Sequence, residues 1–138
     1  MIEYVGVTKA FGAHTVLDDI HLAIRDGEIT YVIGASGTGK SVLVKHAVGL
    51  LAPDAGRIRI DGEDVTDLGE AGWRAIRRRY ALVFQHPTLF DSMTLLDNVA
   101  LPLRKHNRLS REDARREASA FLARVGMDDK AHLMPAEV

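Results

Sequence analysis

Residues 34–41 read Gly34-Ala35-Ser36-Gly37-Thr38-Gly39-Lys40-Ser41, a complete G-x-x-x-x-G-K-[ST] pattern, and few short strings constrain a chain so tightly. The glycines let the backbone curl until successive N–H groups point inward at an anionic phosphate. Lys40 can then reach the β- and γ-phosphates, and the Ser41 hydroxyl can ligate the Mg²⁺ that accompanies them. The flanks agree with this reading. Glu28-Ile29-Thr30-Tyr31-Val32-Ile33 is β-branched and aromatic, as a buried strand should be. Ser41 to Leu51 carries Val44, Ala47, Val48 and Leu51 at helical spacing, so the loop should open onto the positive end of a helix. A strand, a glycine loop and a helix in that order imply a site for a nucleoside triphosphate.

Composition narrows what surrounds that site. The chain has 138 residues, 46% hydrophobic and 27% charged, enough for one packed domain and too apolar for disorder. A net charge of −1 supplies no overall field toward nucleic acid or an anionic membrane. The absence of cysteine excludes disulfides and thiolate metal sites. No apolar run is long enough to span a bilayer. Arg74, Arg77, Arg78 and Arg79 form a basic run beside Glu70, which reads as a solvated helix face rather than a nucleic-acid site.

The remaining elements follow from local pattern. Ile2–Val7 and Val16–Ile24 read as strands, the second ending at Asp26-Gly27. Arg57-Ile58-Arg59-Ile60 alternates and meets a tight hairpin turn at Asp61-Gly62. Leu68–Arg79 is expected to be a short helix with Trp73 and Ile76 on one face, and Tyr80–Phe84 a second buried strand ending at Gln85. Leu95–Leu103 reads as helical, interrupted by Pro102. Ser110-Arg111-Glu112-Asp113 resembles a capping box that opens a helix with Ala114, Ala118, Phe121, Leu122 and Val125 on one face, stopped by Gly126.

Several motifs then stand in one order: Phe11, Val16-Leu17-Asp18-Asp19-Ile20, Asp26-Gly27-Glu28, the phosphate loop, Ile60-Asp61-Gly62, Val83-Phe84-Gln85 and Asp97-Asn98-Val99-Ala100. Together they resemble the first half of an ABC-transporter ATPase domain. Thr88–Thr94, Val99–Arg104 and His132–Glu137 further resemble the ATPase subunits of Mce/Mla-type lipid transporters, although methionine-importer ATPases share a similar Asn98–Leu103 stretch. The resemblance implies an α/β fold: a P-loop (RecA-like) core with a peripheral antiparallel β-subdomain and the start of a helical insert. Residues 1–87 would form the β-subdomain and core, and 88–138 the insert.

Roles carried over from the family fall on matching positions. Gly34, Ala35, Ser36, Gly37, Thr38, Gly39, Lys40, Ser41 and Val42 would hold ATP. Phe11 stands where the family stacks an aromatic, usually Tyr, on adenine. Gln85 falls at the Q-loop, where it would join Ser41 on Mg²⁺ and, with Lys40, serve catalysis. Phe90–Leu103 would face the transmembrane permease from the cytoplasmic side, with the ATPase peripheral on the inner face of the membrane and acting as a homodimer.

Catalysis in this family also needs an apolar run ending in Asp-Glu, a serine-glycine signature and a later histidine. None of these occurs among residues 1–138. The chain therefore reads as truncated before the catalytic half, able to bind ATP but not to turn it over. An alternative is a short regulatory module that binds ATP without hydrolysis, and a further one is an importer ATPase for a small solute such as an amino acid.

Overall fold

The computed structural model describes residues 1–85 and 88–138, so the expected boundary at residue 87 lies outside the described residues. These residues form two compact units, Met1–Leu82 and Val83–Val138.

In the first unit, β1 (Ile2–Phe11), β2 (His14–Ile24), β3 (Ala55–Ile60) and β4 (Glu63–Asp64) form one antiparallel sheet in the order β2-β1-β3-β4. Period-two alternation sets its faces. Tyr4 pairs with Leu22 on one side and Ile58 on the other, and Tyr4 and Ile58 are buried, while Val5, Arg57 and Arg59 face outward. Tyr4 and Val7 are both buried, which strict alternation forbids. A register shift between them resolves the conflict by re-aiming the strand within one bulge. The Asp61-Gly62 turn joins β3 to β4 as expected.

α1 (Lys40–Ala47) and α2 (Glu70–Arg77) close the core over this sheet: Tyr4, Val7, Leu17, Leu43, Ala47, Ile58, Ile60, Val65, Trp73 and Ile76 form one buried cluster. The Tyr4 hydroxyl donates to the Leu43 carbonyl at 2.9 Å, which ties α1 to β1. The inward face of α1 is Leu43, His46 and Ala47, whereas Val44 is exposed, so the helix is rotated from the face expected for Ser41–Leu51. Packing against the sheet, rather than the end of the apolar run at Leu51, sets its phase and length. α2 is likewise shorter than Leu68–Arg79, and its Arg77 pairs with Glu70 at 2.8 Å on the solvated side.

Two expected strands are absent. Glu28–Ile33 forms no strand and carries no ladder among the described residues, and Ile29, Tyr31 and Ile33 are 82%, 78% and 90% exposed. Tyr80–Phe84 is not a strand either, and Val83 is 92% exposed. Composition gives a segment the capacity for a strand, but the strand itself needs a neighbour to accept its hydrogen bonds.

The second unit is a helical hairpin, α3 (Leu95–Asn107) against α4 (Arg111–Arg124), followed by a 3₁₀ turn at Pro135–Glu137. Ala100, Ala114 and Ala118 are its buried centre, and their small side chains let the two helices approach closely. Arg115 pairs with Asp97 across the hairpin at 2.7 Å. Ser110 caps α4 as expected, accepting from the Asp113 N–H at 3.1 Å and donating to its carboxylate at 2.7 Å. That hydroxyl, helped by Arg116, holds the Asp113 carboxyl below its ordinary range.

Two expectations here need correction. α3 runs through Pro102 to Asn107, because Val99, Ala100 and Leu103 pack against the α4 side and outweigh the local cost of proline. On α4, Ala114, Ala118 and Leu122 are buried, but Phe121 and Val125 are 41% and 68% exposed. The stripe touching α3 is narrower than the apolar arc on the sequence.

Candidate functional site

The segment from Gly34 to Val42 folds as a curled loop running directly into α1. Gly37 and Gly39 both have positive φ, 83° and 92°. The Thr38 hydroxyl donates to the Ala35 carbonyl at 2.9 Å and closes the curl from inside. Lys40 lies back across it, its ammonium bonded to the carbonyls of Gly34 at 2.8 Å and Ala35 at 2.6 Å. Gly39 is buried, and a β-carbon there would stand 2.8 Å from Val16 Cγ1 and 3.0 Å from the Val16 carbonyl oxygen. Only glycine lets the loop lie this close to β2.

The start of α1 is built against helix electrostatics. Its N-cap is Gly39 with no side-chain hydrogen bond, its first turn holds no acidic residue, and Lys40 puts a cation at the positive end of the helix. An isolated helix would gain about 0.3–1 kcal/mol from an acid there and loses stability with a lysine. The positive end of a helix and an ammonium meet at one curled loop, which suits an anion with several oxygens. The loop therefore fits a polyphosphate. Ser41, exposed on the first turn of α1, is placed to hold a divalent cation carried by such a phosphate.

Phe11 stands at the end of β1, 49% exposed and paired with His14 across the hairpin. The same hairpin carries Val16 against Gly39, so the aromatic and the phosphate loop belong to one framework. Lys9 places its ammonium 5.6 Å from the Phe11 ring centroid. Gln85 is exposed and belongs to the second unit. Sequence reading missed Val16, seen only as a strand residue; it places Thr38 in the loop, and the structure adds that the Thr38 hydroxyl closes the curl on the Ala35 carbonyl. The β2 register shift that brings Val16 to the loop has no sequence signature.

In the second unit, the start of α3 is fully tied down. Leu95 and Leu96 donate to the carbonyls of Leu133 and Ala131 at 2.9 and 3.0 Å, Asp97 to the Thr94 hydroxyl at 3.2 Å, and Asn98 to the Thr94 carbonyl at 2.9 Å. Leu89 and Phe90, just before it, are exposed apolar residues.

The family model described as ABC transporter matches residues 17–137. The methionine import ATP-binding protein MetN of Caulobacter vibrioides is 42% identical over 140 aligned positions, covering 100% of this chain and 42% of that protein. The probable ribonucleotide transport ATP-binding protein mkl of Mycobacterium bovis is 39% identical over 99% of this chain and 38% of its own length. The chain thus spans about two-fifths of these relatives. Among solved structures, the ATP-binding cassette MJ0796, in a dimeric post-hydrolysis state bound to ADP and Pi, superposes with a TM-score of 0.87 at 31% identity. That match covers 100% of this chain and 63% of the other. A second dimeric structure of the same cassette gives 0.88 at 29%.

Proposed function

The chain belongs to the ABC transporter family, and from that premise we propose that it is the ATP-binding portion of a subunit that couples ATP hydrolysis to membrane transport. The observation that carries this reading is the curled Gly34–Ser41 loop at the uncapped start of α1, with Lys40 held in its mouth. Residues 34–42 hold the phosphates, Ser41 holds Mg²⁺, and Phe11 stacks on adenine. Mg-ATP supplies the phosphoanhydride whose cleavage powers transport. Lys40 exchanges two backbone carbonyls for phosphate oxygens, a stronger charge-assisted pairing.

The partners are a transmembrane permease, facing Phe90–Leu103, and a second ATPase subunit, as the dimeric MJ0796 structures support. The protein would then sit on the cytoplasmic face of the membrane. No helix among the described residues is long and apolar enough to cross a membrane itself.

The cargo we propose is a phospholipid or related lipid, on the residues Thr88–Thr94, Val99–Arg104 and His132–Glu137. A second reading, import of an amino acid, is favoured by the 42% identity to a protein named for methionine import. A relative named for ribonucleotide transport stands at 39%. Relatives with such different cargo names stand at similar overall identity, so overall identity does not choose between the two readings.

The test is calorimetry of Mg-ATP on the 138-residue chain beside Lys40→Ala, with phosphate release recorded. Binding that disappears in the variant, without multiple turnover, supports the proposal. Sustained phosphate release abolished by Lys40→Ala would contradict the part that denies turnover to these residues. Equal ATP affinity in both proteins would overturn the assignment of the loop.

A further inference from the structure

Phe11 ends β1 beside the two-residue turn to β2, paired with His14. Here the strand is anchored from a distant loop. The Asp54 carboxylate accepts from the Ala10 backbone N–H at 2.8 Å with one oxygen and from the Lys9 ammonium at 2.7 Å with the other. In return, the Asp54 N–H donates to the Thr8 carbonyl at 2.9 Å. Three consecutive residues of β1 are therefore fastened to one aspartate, immediately before Phe11. The pairings hold the Asp54 carboxyl below its ordinary range, the Ala10 N–H contributing most and Lys9 next.

The geometry also fixes the ring. Lys9 and Phe11 are two apart on a strand and project to one side, with the Lys9 ammonium 5.6 Å from the ring centroid. Asp54 holds that ammonium in place, so one side of the ring is backed by a cation while the side chain stays 49% exposed. A register shift falls between Lys9 and Ala10, at the point that Asp54 grips. Shifts of this kind re-aim a side chain.

We propose that Asp54 is a positioning residue for nucleotide-base recognition: through Ala10 and Lys9 it sets the orientation of Phe11, and it contributes to affinity for the base but not for the phosphates. This rests on the reading of Phe11 as the base-stacking aromatic.

The test compares Mg-ATP with Mg-tripolyphosphate, which offers phosphates without a base, on the full chain. Phe11→Ala should weaken ATP about tenfold or more and leave tripolyphosphate unchanged. Asp54→Ala should weaken ATP by several-fold, again without effect on tripolyphosphate. In the Phe11→Ala background it should do nothing further, because its target is gone. Asp54→Asn keeps an oxygen for the Ala10 N–H but loses the charge that holds Lys9. It should fall between wild type and Asp54→Ala, and it carries the same test if Asp54→Ala does not fold. The proposal is overturned if the Asp54 variants bind ATP as wild type does, weaken both ligands alike, or add to Phe11→Ala. If Phe11→Ala itself binds ATP normally, the stacking reading fails and takes the proposal with it.

Discussion

The side-chain amide of Asn98 clasps the backbone of Phe90 from both sides, accepting from its N–H at 2.7 Å and donating to its carbonyl at 3.0 Å. The same nitrogen also reaches the carbonyls of Met93 and Thr94, each at 3.0 Å. A single buried side chain thus shapes the approach to α3.

That arrangement ranks two substitutions. Asn98→Ala leaves backbone groups unpaired and should destabilise the helical unit by about 2–3 kcal/mol. Asn98→Asp still accepts from Phe90 but points a carboxylate at three carbonyl oxygens, and it should be the worse of the two. Urea unfolding followed by circular dichroism checks the order, and an aspartate variant as stable as wild type would contradict the clasp.

Gly39→Ala tests the closeness of the phosphate loop to β2. The new β-carbon meets Val16 at 2.8 Å on a backbone with φ of 92°. Mg-ATP affinity should fall at least about tenfold and stability by about 1–3 kcal/mol. Gly37→Ala, where nothing lies within 4 Å of the added atom, should bear only the cost of its positive φ.

Trp73 packs flat on the backbone of Gly49, where a β-carbon would lie 2.1 Å from Cδ2. Gly49→Ala must therefore expel the indole from the core and should cost about 3 kcal/mol or more. Trp73 is the only tryptophan, so its fluorescence reports the displacement directly. An unshifted emission maximum would contradict the contact.

Tyr4 makes alkaline stability measurable. Burial pushes its hydroxyl up to about 12, the Ala47 N–H pulling weakly the other way. In the unfolded chain a phenol ionises near ~10. The stability held by the neutral hydroxyl is therefore complete below about pH 10 and drains toward about pH 12, by about 1.4 kcal/mol per pH unit. Tyr4→Phe lacks this term. Urea midpoints of the two proteins should converge across that window, and a constant gap would contradict the burial.

Ile29, Tyr31 and Ile33 lie exposed in a segment that joins no sheet among the described residues, the kind of apolar surface that recruits another chain. The 138-residue chain should self-associate in sedimentation, and Ile29→Lys with Ile33→Lys should reduce it. A monomeric profile of the unsubstituted chain at high concentration would contradict this.

Local chemistry was written in the sequence: the glycine loop and its helix, the Asp61-Gly62 hairpin, the Ser110 cap and the Trp73–Ile76 face. Each depends on residues a few positions apart, whose dihedral preferences and short hydrogen bonds act within one turn. What tertiary structure decided were relations between distant residues. It left Glu28–Ile33 and Tyr80–Phe84 without ladders, because a strand belongs to a pair. It carried α3 through Pro102 and chose Leu43 over Val44, because packing energy outweighs propensity. It brought Val16 to Gly39 and Asp54 to Ala10, because a register shift and a loop carboxylate act across the sheet, where no local pattern in the sequence can record them.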